Sequence, residues 1–254
     1  MRIGCCCNIE DAPIAHAAGY DFIECRVTAL LPEESDATVA PLLAQHKASP
    51  IPISAFNIFI PRELKIVGPE VDEARLGRYV ESALARVHEV GGEIVVFGSG
   101  VARAIPDGFS VEKARTQTIR FLHQVADAAQ RNDVTVVIEP LNRKESNTIL
   151  SVPEAVALAT EVNRPNIQAL ADFYHMDEEQ EPLTNIPEHA AWIKHIHVAD
   201  TGRRSPGLGD YPYAEFAEIL RQAHYNGRVS IECRWQDFAA EAHLALEFLR
   251  RTLI

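Results

Sequence analysis

Short runs rich in Val, Ile, Phe and Cys alternate along the chain with longer stretches whose apolar residues return every three or four positions. The short runs fall at 2–7, 21–27, 53–60, 93–98, 134–139, 167–174, 193–199 and 228–233, and they read as strands. Segments 73–90, 111–132, 151–162, 213–224 and 237–253 have the spacing of amphipathic helices. In 111–132, Ile119, Leu122, Val125, Ala126 and Ala129 form one buried stripe. Asp72, Ser110 and Ser151, the last followed two residues later by Pro153, read as helix starts. Gly91-Gly92 and Asn226-Gly227 stand where helices should stop. Eight strands, each followed by a helix or helix-like connection, predict an α/β fold, a (β/α)8 TIM barrel. Alternation alone does not show closure, so an open doubly wound sheet is the alternative. With no linker, low-complexity tract or close repeat, the expectation is a single domain over residues 1–254.

Composition narrows what such a barrel does. Hydrophobic residues make up 47% and charged residues 24%, an ordinary globular balance. The net charge of −12 opposes a nucleic-acid partner but leaves room for a small phosphorylated substrate held by a few arginines. No apolar run approaches the roughly 20 residues that cross a bilayer. Met1-Arg2-Ile3-Gly4 leads straight into a strand, so neither a signal peptide nor a membrane partner is expected and the location reads as cytoplasmic. Five cysteines, three of them consecutive (Cys5, Cys6, Cys7), make a disulfide framework awkward. They read as small buried hydrophobes in a reducing compartment, a reactive or ligating thiol being the alternative.

The last four strands share a feature that packing does not ask for. Each ends in a residue type that binds metals or moves protons: Glu139, Asp172, His197 and Glu232. In a parallel barrel those ends face one mouth. Three carboxylates and an imidazole form a hard, oxygen-rich set suited to one divalent ion, Mn²⁺ with Mg²⁺ or Co²⁺ as alternatives. Taken singly, each carboxylate is equally a rim ion pair or a helix-cap partner. His195 shares a strand face with His197 and reads as a hydrogen-bonded barrel histidine.

These segments resemble the xylose-isomerase-like barrel superfamily of sugar and sugar-phosphate isomerases and epimerases, which includes the ketose 3-epimerases. Glu139-Pro-Leu-Asn142-Arg143-Lys-Glu145 resembles its Glu-x-x-Asn-Arg-x-Glu segment, Asp172 with His175 its Asp-x-x-His pair, His195-Ile-His197 with Arg203 its His-x-His segment and sugar-contacting Arg, and Ile231-Glu232 its last metal ligand. The resemblance implies metal ligation by Glu139, Asp172, His197 and Glu232. It also implies acid/base roles for Glu139 and Glu232, and substrate contacts from Glu145, His175 and Arg203. The implied activity is metal-dependent isomerisation or epimerisation of a ketose or related hydroxy-ketone by proton transfer through a metal-stabilised enediolate. Alternatives are an inosose-type dehydratase of a cyclic polyol ketone and a non-catalytic sugar-binding barrel. A DNA-repair endonuclease is opposed by the −12 charge and by Asn57 and Phe97-Gly98 at strand ends where further ligands would be needed.

Asp200 stands where that family often carries an acid three beyond the metal His, but Thr201-Gly202 after it departs from the family's pattern, as does Cys233-Arg234-Trp235 after Glu232. Arg234 reads either as a contact for a substrate carboxylate or phosphate or as a neutraliser of a nearby acid. Glu24 is read as a substrate contact or a rim charge. Phe56 to Pro61 is an apolar wall from which Asn57 reaches a hydroxyl, or plain core and loop. Gly98-Ser99-Gly100 with Arg103 keeps a phosphorylated sugar open, and the glycine-rich 201–211 loop is a candidate lid. A homo-oligomer is left open.

Overall fold

Eight parallel strands hydrogen-bond in sequence order and close on themselves, β8 pairing with β1 through Arg2 with Arg228 to Cys5 with Ile231. This is the expected (β/α)8 barrel, seen in a computed structural model that describes residues 1–254. The strands are β1 (Arg2–Cys6), β2 (Phe22–Arg26), β3 (Ile53–Asn57), β4 (Ile94–Phe97), β5 (Thr135–Ile138), β6 (Ile167–Asp172), β7 (Ile193–Val198) and β8 (Arg228–Ile231). The helices are α1 (Ala12–Ala18), α2 (Asp36–Lys47), α3 (Glu73–Glu89), α4 (Gly100–Arg103), α5 (Val111–Arg131), α6 (Val152–Val162), α7 (Phe173–Glu178), α8 (Asn185–Glu188), α9 (Tyr213–Gln222) and α10 (Phe238–Leu253).

Local chemistry explains the boundaries. Asp72, Ser110 and Ser151 each accept the backbone N–H three residues on, from Arg75, Lys113 and Glu154, and so cap α3, α5 and α6. Gly91, at φ 88°, carries the chain out of α3 as its position suggested. Asn226-Gly227 does not end a helix: α9 stops at Gln222, and His224 takes the left-handed turn at φ 49°.

The barrel interior is layered along its axis. Phe22, Ala55, Ile94, Val96, Val137 and Leu170 form an apolar plug inside the strands. Gly4 leaves room for it, since a Cβ there would collide with the Phe22 ring. Period-two alternation then places Glu24 two residues beyond Phe22, and His195 and His197 on the matching face of β7. A buried polar layer therefore lies directly under the C-terminal mouth. No helix is long and apolar enough to cross a membrane.

Candidate metal and active site

Glu139, Asp172, His197 and Glu232 converge at that mouth, one ligand atom of each lying within 4.8 Å of all the others. Each is aimed by its backbone context. Asp172 caps α7 with Oδ1, which accepts the N–H groups of Tyr174 at 2.7 Å and His175 at 3.4 Å. That leaves Oδ2 buried with no hydrogen-bond partner, a costly state for a carboxylate oxygen unless a cation supplies the missing contact. Glu139 is held against Gly98, where a Cβ would collide with Oε2. Glu232 accepts from Asn57 Nδ2 at 3.0 Å and from Arg203 Nη2 at 2.5 Å.

The imidazole is oriented from below. His197 Nε2 lies 2.9 Å from Glu24 Oε1, and His195 Nε2 lies 2.8 Å from Glu24 Oε2. With a carboxylate accepting at Nε2, His197 is assigned its proton there, which turns Nδ1 towards Glu139 Oε1 at 3.1 Å and Glu232 Oε2 at 3.4 Å. Glu24 is thus neither a rim charge nor a mouth-facing substrate contact; its side chain is wholly buried as the shared acceptor of two histidines. His195 is the hydrogen-bonded barrel histidine its position suggested.

The electrostatics match a cation site. Burial, then Glu232 and Asp172, push the Glu139 carboxyl above its usual range. Burial opposes ionisation of Glu232 too, yet Arg203 and His197 outweigh it and hold that carboxyl at about 2. His197 is likewise opposed by burial, but Glu24, Glu232 and Glu139 push its proton affinity well above the imidazole range. An unpartnered Asp172 oxygen, a preset imidazole and three crowded carboxylates together fit a hard divalent ion.

Of the substrate-binding candidates, Glu145 and Arg203 line a cavity of about 520 Å³ together with Glu139 and Glu232, while His175 is buried beside Arg203. Asn142 directs both its backbone N–H (3.1 Å) and its side-chain amide (2.9 Å) at His175 Nδ1, while its own Oδ1 accepts from Lys144. His175 Nδ1 is therefore an acceptor and Nε2 carries the proton. Nε2–H then lies 3.3 Å from Arg203 Nη1 and 3.6 Å from Asp172 Oδ2, beyond hydrogen-bond reach of that oxygen, so a substrate oxygen is an acceptor the two donors could share. Arg203 also reaches Glu145 at 3.4 Å and lies over the Tyr174 ring at 4.7 Å. Glu145 contacts Asn142 and Arg203, so it acts on His175 only through them.

Other expectations are corrected. Arg103 does not reach the mouth: fully buried, it donates to the carbonyls of Phe97 and Glu139 at 3.1 and 2.9 Å, binding the ends of β4 and β5 together. In the Gly98-Ser99-Gly100 turn, the glycines make room for Glu139 and for the Glu145 backbone, and Ser99 accepts from Ile60 N–H. The 201–211 loop is wound around buried Asp200, which accepts backbone N–H groups of Thr201, Gly207 and Tyr211, rather than standing free as a lid. Arg234 is exposed, its backbone N–H donating to the Arg203 carbonyl. Asn57 lines the mouth, where its Nδ2 is already held by Glu232. All five cysteines are free; Cys5 and Cys25 are buried, whereas half-buried Cys6 accepts from Asn57 at 3.5 Å beside the site.

A closed parallel barrel with a carboxylate–histidine cluster at its C-terminal rim places the chain among (β/α)8 barrels whose candidate site lies at the mouth. The xylose isomerase-like TIM barrel family matches residues 13–252, and the chain belongs to it. The 3-dehydro-D-guloside 4-epimerase of Escherichia coli (strain K12) is 31% identical over 182 residues, 66% of this chain and 68% of that one. The D-psicose 3-epimerase of Agrobacterium fabrum (strain C58) is 27% identical over 221 residues, 84% of this chain and 75% of that one. The crystal structure of the apo 3-keto-D-glucoside 4-epimerase from E. coli superposes with a TM-score of 0.82 at 26% identity, covering 99% of each chain. These relatives are sugar epimerases.

Proposed function

We propose that this chain is a divalent-metal-dependent epimerase or isomerase of a keto sugar, working in the cytoplasm, where its five free thiols would stay reduced. The observation that carries this reading is the unpartnered Asp172 Oδ2 inside a cluster that also contains Glu139, His197 and Glu232, beneath the paired donors His175 and Arg203. A divalent ion, Mn²⁺ in the first instance, held by those four residues would polarise the substrate carbonyl and offset the charge that grows on oxygen as the neighbouring C–H bond breaks.

The chain's own groups supply the rest. His175 Nε2–H and the Arg203 guanidinium bind and orient substrate oxygens. One of Glu139 and Glu232 takes the proton from carbon and leaves an enediolate; the other returns a proton. Return at the same carbon from the other face gives epimerisation, and return at the neighbouring carbon gives isomerisation. The two carboxyls sit in environments that push their proton affinities apart, the usual mark of an acid/base pair: Glu139 raised, Glu232 lowered. Asn57 and Arg203 hold Glu232 in place.

The test is exchange of substrate hydrogen with deuterated water in the presence of Mn²⁺, for wild type, Glu139→Gln and Glu232→Gln. Loss of a general acid or base should slow exchange by about 10²–10⁴-fold. Undiminished exchange in either variant removes that residue from proton transfer. Loss of water from the substrate, read as a mass change, would instead mark a dehydratase.

A further inference from the structure

The mouth has two lobes. Beside the 520 Å³ reaction lobe lies a second cavity of about 390 Å³, and the two share Asn57, Ile58, Arg203 and Glu232. Each lobe alone falls in the range of roughly 300–1,000 Å³ that whole small-molecule sites occupy. One sugar ring reacting at Glu139 and Glu232 would leave the second lobe empty.

Its lining says what fits. Trp235 presents an indole fixed by its N–H to the Cys6 carbonyl at 3.0 Å, with the Phe238 ring edge-on at 5.1 Å. Asn8, Asp11 and Arg26 face the same space, Arg26 donating to Asn8 Oδ1 at 3.1 Å. A fixed aromatic plate beside hydroxyl-sized donors and acceptors suits a second ring with apolar faces and polar edges. An anion is poorly served, because Asp11 and Glu232 face this lobe, Arg26 is already bound to Asn8 and Arg203 is already paired with Glu232. Ile58 stands at the junction in a left-handed conformation, φ 46°, and exposed, a strained state for a β-branched side chain.

We infer that the substrate is a keto-glycoside rather than a free monosaccharide: the keto ring occupies the reaction lobe, and a second glycosyl ring lies on Trp235. This rests on the proposed function and adds its substrate class.

The experiment uses the full chain loaded with Mn²⁺ and two probes, a methyl 3-keto-hexoside and the corresponding glucosyl 3-keto-hexoside. Trp192→Phe, at the opposite end of β7 from the mouth, leaves Trp235 as the sole indole reporter. The glucosyl compound should change Trp235 emission saturably where the methyl compound does not. Its kcat/KM for hydrogen exchange should be about tenfold higher, the worth of one good aromatic contact. That advantage should vanish in Phe238→Ala. Equal kcat/KM with a silent Trp235 would overturn the second-ring assignment while leaving the epimerase reading intact. A Trp235 response without any hydrogen exchange would uphold the glycosyl site and overturn the catalytic reading.

Discussion

Replacing Glu24 by Gln should weaken metal binding without the residue touching the ion. Each Glu24 oxygen faces an imidazole Nε2, His195 at 2.8 Å and His197 at 2.9 Å. A glutamine keeps one acceptor and turns the other into an NH₂ donor, so one ring must move its proton to Nδ1. For His195 that move strands a buried N–H, because its Nδ1 has no partner, at a cost of about 1–3 kcal/mol. For His197 the move is easy, since Nδ1 already faces Glu139 and Glu232. The NH₂ therefore turns to His197, and the Nδ1 lone pair, which a metal needs and metal-free His197 holds protonated, can no longer be freed while Nε2–H keeps its acceptor. Recovering it costs the same ~1–3 kcal/mol, a factor of roughly 5–150 in affinity, in line with the ~10–100-fold usual when a ligand's supporting partner is removed. Folding stability should move less, because the lost charge-assisted hydrogen bonds are offset by taking a charge out of the interior. The assay is Mn²⁺ titration of chelator-stripped protein by calorimetry, with a melting curve beside it. A folded Glu24→Gln variant that binds Mn²⁺ as tightly as wild type would refute the reasoning.

Gly98→Ala should lower turnover by about 10²-fold while the barrel still folds, since the new methyl collides with Glu139 Oε2 and displaces a reacting group; kcat beside far-ultraviolet circular dichroism reads both. Metal binding should release about one proton at neutral pH, because metal-free His197 holds its second proton well above the imidazole range. Calorimetry in buffers of different ionisation enthalpy measures that proton, and apparent affinity should rise with pH until the folded-state value is passed. The sign for the metal-free fold is the reverse: a raised value stabilises below the ordinary imidazole range, and that contribution is lost as pH rises through the folded value.

The four metal-site candidates were legible because β-strand geometry fixes which end of a strand meets the mouth, and four successive strands ending in such groups point to one place where a single one would not. Glu24 was present in the sequence but unreadable in role: its partners His195 and His197 lie 171 and 173 residues away, and no local period reports such a pairing. Arg103 looked like a phosphate ligand because it follows a glycine turn. It is in fact drawn inward by the carbonyls of Phe97 and Glu139, freed where β4 and β5 end. Asp200, noted in the sequence only for its place beyond His197, organises a loop, a role visible only once Gly207 and Tyr211 fold back onto it. Helix α2 carries few buried apolar residues, Val39 and Leu43, and contains Pro41, so its stripe is faint beside that of α5.

The proposed chemistry depends on Glu139, Asp172, His197 and Glu232 holding one divalent ion at the C-terminal mouth. A crystal grown with Mn²⁺ and measured for anomalous scattering tests it directly. A single peak should lie within about 2.0–2.4 Å of the Asp172 Oδ2 oxygen, His197 Nδ1 and a carboxylate oxygen of each glutamate. No peak among these four side chains at saturating Mn²⁺, with Asp172 Oδ2 instead bound to a protein donor, would contradict it.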